Sequence, residues 1–424
     1  MVEEVFGGRF SMKVLIIGSG AIGSVIGRIL QSRPEFEEVI LADLKQETAQ
    51  RMIGNLSGPA KLTAIAMNAN NIADMKKGIK DVKADLVINA TLPRFFLKIM
   101  RATFESGANY MDMATDIGVA NSRAGDRIHK VPIDYQLEQS DAWKSAGLAA
   151  MVCWGADPGA VNVFARYAAD QLDSVDRILV RDGDNASTGG FDGLVSLWSP
   201  DTFIEEVAYA DALVWTNGHY ERVPSLTRSE VWDFPQPIGK LRVWAVDHEE
   251  PQTLGRYIKC NECNFMISLS TETVETMRVL KKLGLVNPSP INVKGIEVAP
   301  RDVVTACMPS PNDHRIQSGT NGYTCIGSMV IGEKAGKRYG HYIYNMMSHA
   351  EAYALYGVTA TALQTALPPA TAATLLARGE IKEKGVFPPE ALAPKPIMKA
   401  FAELGFQWNE MKKEENPLLL PLLA

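Results

Sequence analysis

Three glycines and one aspartate have the spacing of a dinucleotide-binding loop. Gly18, Gly20 and Gly23 follow the short β-branched run at 14–17, and a helical pattern comes after them. The first glycine permits a tight turn out of a strand, the second lets a pyrophosphate approach the backbone, and the third lets helix and strand pack closely. Asp43 ends the next apolar run, where a carboxylate can accept hydrogen bonds from an adenosine ribose. This order of elements predicts a dinucleotide site; the alternative is a glycine turn in another kind of α/β protein.

The residues around this loop also bear on which dinucleotide binds. Ala21 and Ile22 begin the predicted helix, so their free N–H groups and the positive end of the helix dipole would face the phosphates. A carboxylate at Asp43 accepts from a free 2′-OH but repels a 2′-phosphate, which favours NAD. Lys45 is close enough in sequence to offset part of that repulsion. The sequence therefore predicts NAD, with NADP as the alternative.

Polar residues recur where later strand-like runs end. Asn89, Ala90 and Thr91 close the apolar run at 86–88, and Asp112 closes the next one. Ligands of open parallel sheets bind outside the carboxyl ends of the strands. We therefore expect these four residues to line the nicotinamide half of the cofactor site. Asn89 has an alternative role as the cap of the following helix.

The alternation of strand-like and helical patterns in the first part of the chain predicts the fold class. It indicates an α/β protein with a Rossmann-type doubly wound parallel sheet over 12–173. From Ser174 the runs are short, strand-like and separated by Gly, Pro and Asn, which is typical of an α+β domain. We expect this inserted substrate domain to span 174–344. The Ala- and Leu-rich segment 345–424, strongly helical over 350–377, is expected to return to the first domain.

Composition argues against several classes of function. Lys and Arg number 43 against 49 Asp and Glu, a net charge of −6, so the chain lacks the basic character of a general nucleic-acid or anionic-membrane binder. No apolar run reaches the ~18 residues of a transmembrane helix, and the N-terminal residues lack the apolar core of a signal peptide. We therefore expect a cytoplasmic protein. The five cysteines are scattered, which favours reduced thiols, and the single CxxC at Cys260 and Cys263 lacks a second ligand pair, so we expect no metal site.

Several motifs resemble those of the saccharopine dehydrogenase superfamily over nearly the whole chain. They are GSGAIG at 18–23, DLVINA at 85–90, YMD at 110–112, GADPGAVNVFA at 155–165, GYTCIG at 322–327 and KGVFPPE at 384–390. This set is most similar to the carboxynorspermidine dehydrogenase branch, although that branch tends to carry small or basic residues where this chain has Asp43. VPSL at 223–226 and APRDVV at 299–304 are also similar to segments of lysine 6-dehydrogenases.

The resemblance implies chemistry at a C–N bond. Enzymes of this family pair a Rossmann domain with an inserted α+β domain, are commonly dimers, and use a nicotinamide cofactor on a carbon that bears nitrogen. The carboxynorspermidine branch condenses an amine with aspartate semialdehyde and reduces the imine, usually with NADPH. We therefore expect an NAD(P)-dependent oxidoreductase, a small-molecule amine or amino-acid substrate and a homodimer. The alternatives are a deaminating lysine 6-dehydrogenase and a non-catalytic NAD-binding regulator.

Three residues are candidates for the proton transfers that imine chemistry requires near neutral pH. His248 and Glu249, within His248-Glu249-Glu250, follow a strand-like run and match an acidic histidine motif of the branch. The resemblance implies that His248 shuttles a proton or that the acids hold a substrate ammonium group; the alternative is a solvated charged turn. Asp157 precedes a predicted helix, where it would either face the nicotinamide or cap that helix.

Five further residues are candidates for substrate contacts. Trp154 could wall the pocket or belong to the core, and Arg301 could bind a substrate carboxylate bidentately or form an ordinary ion pair. His349 and Asn345 lie in a segment that matches the family, and a structural histidine is the alternative there. Asn162 lies within the matching GADPGAVNVFA segment.

Overall fold

The computed structural model describes residues 12–53, 58–115, 123–191 and 193–414. The first part of the chain alternates strands with helices. Its strands are β1 (Met12–Ile17), β2 (Phe36–Asp43), β3 (Lys61–Ala66), β4 (Leu86–Asn89), β5 (Asn109–Met111) and β6 (Ala149–Met151). Its helices are α1 (Ala21–Gln31), α2 (Gln46–Ile53), α3 (Ile72–Val82), α4 (Phe96–Ser106), α5 (Asp134–Leu137) and α6 (Ser140–Ser145).

The middle of the chain is richer in antiparallel strands. Its strands are β7 (Ser174–Asp184), β8 (Ala212–Thr216), β9 (His219–Val223), β10 (Ser229–Phe234), β11 (Gly239–Ala245), β12 (Glu262–Ser268), β13 (Ile291–Val293), β14 (Ile296–Val298), β15 (Tyr323–Lys334) and β16 (Lys337–Ser348). Its helices are α7 (Ala160–Ala169), α8 (Pro200–Ile204), α9 (Glu250–Tyr257), α10 (Thr271–Lys282), α11 (Pro300–Cys307) and α12 (His314–Gly319). A π turn at Glu205–Tyr209 follows α8.

Among the described residues, the last part of the chain combines three α-helices with two strands. The elements are α13 (His349–Tyr356), α14 (Ala360–Ala377), β17 (Gly385–Phe387), α15 (Pro394–Glu403) and β18 (Asn409–Glu414). Among the described residues, no helix combines the length and the apolar composition that crossing a membrane requires.

The first sheet has the strand order of Rossmann folds, β3-β2-β1-β4-β5-β6, with β17 added beside β6. All of its strand pairs are parallel. Strands of such a sheet are covered on both faces, and the central residues of β1, Val14, Leu15 and Ile16, are fully buried. The order reverses between β1 and β4, which places a ligand crevice at the carboxyl ends of these two strands. The predicted doubly wound parallel sheet is confirmed.

The second sheet has nine strands and shares its core with the first. Its main order is β10-β11-β12-β7-β15-β16-β18, with β8 beside β12 and β9 beside β8. β7 and β12 are parallel, and the other neighbours are antiparallel. α7 packs on this sheet, where the Ser328 hydroxyl group on β15 donates to the Val161 carbonyl group at 2.7 Å. Buried residues of β1, α7 and β7 belong to one apolar cluster, so α7 lies in a core that both sheets share.

The segment that the sequence predicts to be strongly helical, 350–377, forms two helices, α13 and α14, because the chain turns between them. Gly357 ends α13 in the left-handed conformation, with a φ of 71°. Glycine adopts this conformation without a Cβ penalty. Thr359 then begins α14, and its side chain accepts a hydrogen bond from the Ala362 N–H group.

The segment 345–424 supplies a strand to each sheet. β17 pairs with β6 in the first sheet, as the expected return to that domain requires, whereas β18 pairs with β16 and extends the second sheet. The division into 12–173, 174–344 and 345–424 stays a prediction. Residues 415–424, the end of the third segment, lie outside the described part of the chain.

Candidate active site

The glycine loop packs so closely that two of its three glycines admit no side chain. Gly18 has a φ of 103°, and a Cβ atom there would lie 2.4 Å from the Ala90 carbonyl oxygen. A Cβ atom on Gly23 would lie 1.9 Å from the Gly18 carbonyl oxygen. Gly20 differs, because a Cβ atom there would meet nothing within 4 Å in the described part of the protein. Open space at this glycine is what a pyrophosphate needs in order to approach the backbone.

The N-terminus of α1 has the character of an anion site. Gly20 is its N-cap, no side chain caps it, and no acid lies in its first turn. Ala21 and Ile22, the first two helical residues, are partly exposed. The free N–H groups and the positive end of the helix dipole are therefore available to a phosphate. The loop fits the dinucleotide that the sequence predicts.

Asp43 is tied to the glycine loop by its own carboxylate. Its Oδ2 atom accepts from the Ser19 hydroxyl group at 2.6 Å and from the Ser19 N–H group at 3.2 Å. Its Oδ1 atom accepts from the Leu44 N–H group at 2.8 Å. The carboxylate thus lies at the end of β2 beside the loop, where the ribose of a dinucleotide would be read. Asp43 remains our predicted determinant of NAD over NADP.

Asn89, Ala90 and Thr91 form the turn at the end of β4. Asn89 is fully buried, and its Oδ1 atom accepts from the Thr91 N–H group at 3.1 Å and from the Thr91 hydroxyl group at 2.7 Å. Its amide group donates to the Tyr110 hydroxyl group at 3.0 Å. Ala90 and Thr91 are partly exposed, so they are placed to face the nicotinamide half of a cofactor. Asn89 instead shapes this turn from beneath, and it does not cap α4.

Asp112 lies beneath the cleft rather than in it. It is fully buried, and its carboxylate accepts from the Cys153 N–H group at 2.8 Å and from the Gln136 amide group at 2.6 Å. Burial raises the pKa of Asp112 to about 7. Cys153 has a φ of 60°, so Asp112 stabilises a strained residue in the chain that leaves β6. The structure gives Asp112 this supporting role in place of the expected cofactor contact.

The turn between β6 and α7 is built without help from the Asp157 side chain. Gly159 is the N-cap of α7, and its N–H group donates to Asn162 Oδ1 at 2.9 Å. A Cβ atom on Gly159 would lie 2.0 Å from the Gly155 carbonyl oxygen. The Asn162 amide group also donates to the buried Glu390 at 3.1 Å. Asn162 is therefore a structural cap rather than the expected substrate contact, and Asp157 is left half-buried in the turn.

His248 lies at the centre of a group of carboxyl groups. Its ring stacks on Phe265, with the centroids 3.8 Å apart and the planes 10° from parallel. Its Nδ1 atom lies 2.7 Å from Oε2 of Glu250, which is fully buried. Burial alone would lower the pKa of His248, but Glu250, Glu249 and Glu206 raise it well above its usual value. These carboxylates therefore favour the protonated form of His248, and Phe265 and Glu250 set the orientation of its ring.

Glu206, Glu249 and Asp157 have raised pKa values beside this cation. Burial raises the pKa of Glu206 and of Asp157 to about 8, and that of Glu249 to about 7, although His248 opposes all three shifts. The Thr115 N–H group, after β5, donates to Glu249 Oε1 at 3.0 Å and so connects the cluster to the chain that leaves β5 of the first sheet. Carboxyl groups with these pKa values can accept and release protons near neutral pH.

Three of these side chains converge tightly enough to surround a cation. One ligand atom from each of Glu206, His248 and Glu249 lies within 4.8 Å of the other two. A histidine ligand must be neutral to bind a metal ion, whereas the carboxylates around His248 raise its pKa and favour its protonated form. This argument favours a substrate ammonium group over a metal ion, so the absence of a metal site stays our prediction.

The sequence analysis did not identify two members of the cluster, Asp182 and Glu206. Glu206 lies in the π turn after α8, a geometry that is frequent at functional sites but has no local sequence signal. Glu250 begins α9 with its carboxylate on His248. Asp182 lies near the end of β7 and interacts electrostatically with Asp157 and His248. The signal for Asp182 is an acid close after the apolar run at 178–180.

Trp154 and Arg301 belong to the interior of the protein. Trp154 is fully buried in the main apolar cluster. The Arg301 guanidinium group forms a buried ion pair with Glu205, and its Nε atom donates to the Val286 carbonyl group at 2.9 Å. The structure therefore gives both residues the alternative roles, core and ion pair, instead of substrate contacts.

Asn345 and His349 brace the end of β16 and the start of α13. The Asn345 amide group donates to the Gln407 carbonyl group, and its oxygen accepts from the Gln364 amide group at 2.6 Å. His349 is fully buried, its Nε2 atom lies 3.2 Å from Asp184, and its Nδ1 atom accepts a backbone N–H group of α14 at 3.2 Å. Their polar atoms are used within the protein, so both have structural roles instead of the expected substrate contacts.

Two family models match consecutive parts of the chain. Residues 14–151 match the saccharopine dehydrogenase NADP binding domain, and residues 155–406 match the saccharopine dehydrogenase C-terminal domain. The chain belongs to the saccharopine dehydrogenase family. The protein is therefore an oxidoreductase with a nicotinamide dinucleotide cofactor, and the predicted superfamily is confirmed.

Curated relatives align over nearly the whole chain. Carboxynorspermidine synthase of Vibrio cholerae is 31% identical over 416 residues, which cover 95% of this chain and 98% of the relative. Carboxyaminopropylagmatine dehydrogenase of Synechocystis is 27% identical over 404 residues, 94% of this chain and 97% of the relative. These two relatives confirm the predicted branch of the family.

A solved structure shows the same fold. The L-Glu-forming saccharopine dehydrogenase of Saccharomyces cerevisiae has a TM-score of 0.68 and 15% identity, and the match covers 95% of this chain and 100% of that one. The predicted combination of a Rossmann domain with an inserted α+β domain is confirmed.

Proposed function

We propose that the protein joins a diamine or polyamine to an amino-acid aldehyde by reducing the imine that the two form. The names of the Vibrio cholerae and Synechocystis relatives denote carboxylated amines of the kind that this reaction yields. Aspartate semialdehyde is the aldehyde that the family resemblance suggests. The product is a secondary amine that carries the carboxylate of the amino acid.

The acid cluster is the observation that carries this proposal. Carboxyl groups outnumber the histidine at its centre, and they belong to Asp157, Asp182, Glu206, Glu249 and Glu250. Burial and mutual repulsion raise the pKa values of Asp157, Asp182, Glu206 and Glu249 and favour their protonated forms in the free protein, which makes the cluster unfavourable for an anionic ligand. A ligand with ammonium groups replaces those protons with positive charge. A polyamine has this property at neutral pH.

His248 and its neighbours divide the proton transfers between them. A substrate ammonium group must lose a proton before its nitrogen can attack an aldehyde, and Glu249 or Asp157, with pKa values of about 7 and 8, can accept that proton. His248 donates a proton to the hydroxyl group that leaves as water when the imine forms. The Glu250 carboxylate stays on Nδ1 and holds the orientation of the ring, and the proton that Glu249 or Asp157 accepted returns His248 to its protonated form. When bound on the glycine loop, NAD(P)H supplies the hydride for reduction of the C=N bond.

A panel of amines and aldehydes tests the proposal. Oxidation of NADPH and of NADH is followed with aspartate semialdehyde plus 1,3-diaminopropane, putrescine or agmatine, and reduction of NAD⁺ and NADP⁺ is followed with lysine or saccharopine. We expect turnover only when a diamine and the aldehyde are both present. Turnover with lysine alone would instead identify a deaminating dehydrogenase. Tight cofactor binding without turnover of any amine would contradict the proposal.

The proposal includes a homodimer in the cytoplasm. The hairpin β13–β14 exposes three apolar side chains, Ile291, Val293 and Ile296, each at least 46% exposed, and such side chains are common at subunit interfaces. The net charge of −6 accords with a small cationic substrate and not with nucleic acid. Light scattering on the purified protein measures its mass in solution. A mass of one chain would contradict the homodimer.

A further inference from the structure

Asp182 lies near the end of β7, on the face of the second sheet that α7 covers. Its Cα partners are Ile267 on β12 and Ile326 on β15. Directly opposite residues of neighbouring strands project to the same face of a sheet. Both isoleucines are buried in the apolar cluster that also contains Val161 of α7. The Asp182 carboxyl group therefore lies between two apolar side chains.

The same sheet face supports His248. Val180, two residues before Asp182, pairs with Phe265 on β12, and the His248 ring stacks on Phe265. Asp182 is the next residue of β7 on this face, towards the carboxyl end of the strand. The charged groups that act on it are Asp157 before α7, Asp184 on its own strand, His248 after β11 and Glu250 at the start of α9. Asp182 therefore joins the acid cluster from the side of the sheet.

The Asp182 side chain is partly exposed, but one of its carboxyl oxygens is not satisfied within the described protein. Its Oδ1 atom is buried and has no hydrogen-bond partner among the described residues. The pKa of Asp182 is raised well above its usual value, mainly by burial and to a smaller extent by the carboxylates of Asp157 and Asp184. A buried carboxyl oxygen without a partner costs free energy, and an apolar residue of similar size would avoid that cost. Buried polar atoms without a hydrogen-bond partner are typical of functional sites, where a ligand supplies the partner.

We propose that Asp182 is the anchor for the ammonium group of the amine substrate that does not react. This inference rests on the proposed function and assigns the part of the site that selects a second amino group. An ammonium group brings both a positive charge and three N–H donors to the unpartnered oxygen. On binding, the O–H bond of the carboxylic acid breaks, the carboxylate pairs with the ammonium group, and the proton passes to the solvent.

Calorimetry measures both the affinity for the diamine and the number of protons that are released when it binds. 1,3-Diaminopropane is titrated into the full-length enzyme saturated with NADP⁺, in two buffers whose ionisation enthalpies differ. We expect the wild-type protein to release protons on binding. Asp182→Asn should bind the diamine at least tenfold more weakly and release up to one proton fewer. Asp233→Asn, the same change at an exposed position on β10, is the matched control and should behave as the wild type.

Thermal unfolding separates an anchor from a structural residue. A carboxyl group that serves a ligand is expected to be dispensable for folding, so Asp182→Asn should keep the Tm of the wild type. Asp182→Leu, which matches the isoleucine surroundings, should keep or raise the Tm while abolishing diamine binding. Titration of the cofactor into both variants should give the wild-type affinity, because the glycine loop is unchanged.

The outcomes distinguish this inference from the proposed function. Wild-type affinity for the diamine in Asp182→Asn would overturn the anchor and leave the proposed function in place. A wild-type protein that binds no diamine or polyamine would overturn the proposed function itself. A lowered Tm with lost cofactor binding in both Asp182 variants would identify a structural residue and would also overturn the anchor.

Discussion

The glycine loop and the acid cluster, which we propose are the two halves of one cleft, are built by the chain in different ways. The loop comes from a single continuous stretch, 13–43, and binds through its backbone. The cluster collects Asp157, Asp182, Glu206 and His248 from four separate elements. A backbone site is encoded by local spacing, whereas a side-chain site depends on how distant elements pack. The comparison explains why one half is evident in the sequence and the other is not.

The two halves also differ in the charge that they attract. The loop presents N–H groups and the positive end of α1, which suits the phosphates of a dinucleotide. The cluster presents carboxyl groups around one histidine, which suits a cationic amine. The difference assigns each ligand to its own end of the cleft. Substitutions in one half should therefore leave binding at the other half intact.

Removal of His248 should have the largest effect on catalysis. His248→Ala is expected to lower kcat/KM by roughly 10²–10⁴-fold, because a positioned proton donor is lost. The dissociation constant of NADPH, measured by fluorescence titration, should not change, since the glycine loop lies in the other half of the cleft. A variant with the rate and the pH profile of the parent would show that His248 moves no proton.

Two glycines of the loop should respond differently to the same substitution. Gly18→Ala places a Cβ atom 2.4 Å from the Ala90 carbonyl oxygen at a φ of 103°, so it should lower the free energy of unfolding by about 1–3 kcal/mol and abolish cofactor binding. In Gly20→Ala the new Cβ atom meets open space, so the variant should keep the stability of the parent. It should bind the cofactor more weakly, because the methyl group occupies the space that the pyrophosphate needs. Denaturant unfolding and cofactor titration of both variants measure this difference. Equal losses of stability would contradict it.

Glu250→Gln should shift the pH profile more than it lowers the maximal rate. The neighbouring carboxylate raises the pKa of His248, so the protonated ring persists above its usual value of about 6.5. Replacing that charge by a neutral amide lowers the pKa of His248. Activity that needs the protonated ring should therefore be lost at a lower pH than in the parent. The alkaline limb of kcat/KM against pH is expected to move down by about one unit. An alkaline limb that stays in place would mean that Glu250 does not set the titration of His248.

Substitution of Asp43, which tests the preference between NAD and NADP, should have the smallest effect. Asp43→Ser removes a carboxylate that would repel a 2′-phosphate, and it also removes the hydrogen bonds from Ser19. The ratio of kcat/KM values for NADPH and NADH should rise by roughly tenfold, about 1.4 kcal/mol. The KM for the diamine should not change. An unaltered cofactor preference would show that the ribose is read elsewhere.

The sequence predicts the fold and the cofactor half because their signals are local. The glycines, the apolar strands and Asp43 lie within one strand–helix–strand unit, and each has a single physical explanation. The prediction is less accurate at the strand ends. Asn89 and Asp112 do lie there, but their side chains turn inwards to Tyr110 and Gln136. The alternation of strand-like and helical segments predicts that a residue lies at the end of a strand. It does not predict which neighbour the side chain of that residue contacts.

The substrate half was predicted only in part because its members meet across long distances in the chain. His248 and Asp157 were identified, whereas Asp182 and Glu206 have no local pattern that separates them from ordinary acids. Arg301 was predicted to contact the substrate and does not. An arginine suits a substrate carboxylate, but in the interior it forms an ion pair with Glu205, 96 residues earlier in the chain. Only the packing of the second sheet decides between these outcomes.

The central claim is that the two halves form one site for reduction of a C–N bond. Its most direct test follows deuterium from 4-deuterated NADPH into the product made from aspartate semialdehyde and 1,3-diaminopropane, with mass spectrometry and NMR to locate the label. The account predicts one deuterium on the carbon bonded to the new secondary-amine nitrogen. Deuterium on an alcohol carbon, from reduction of the aldehyde itself, would contradict it.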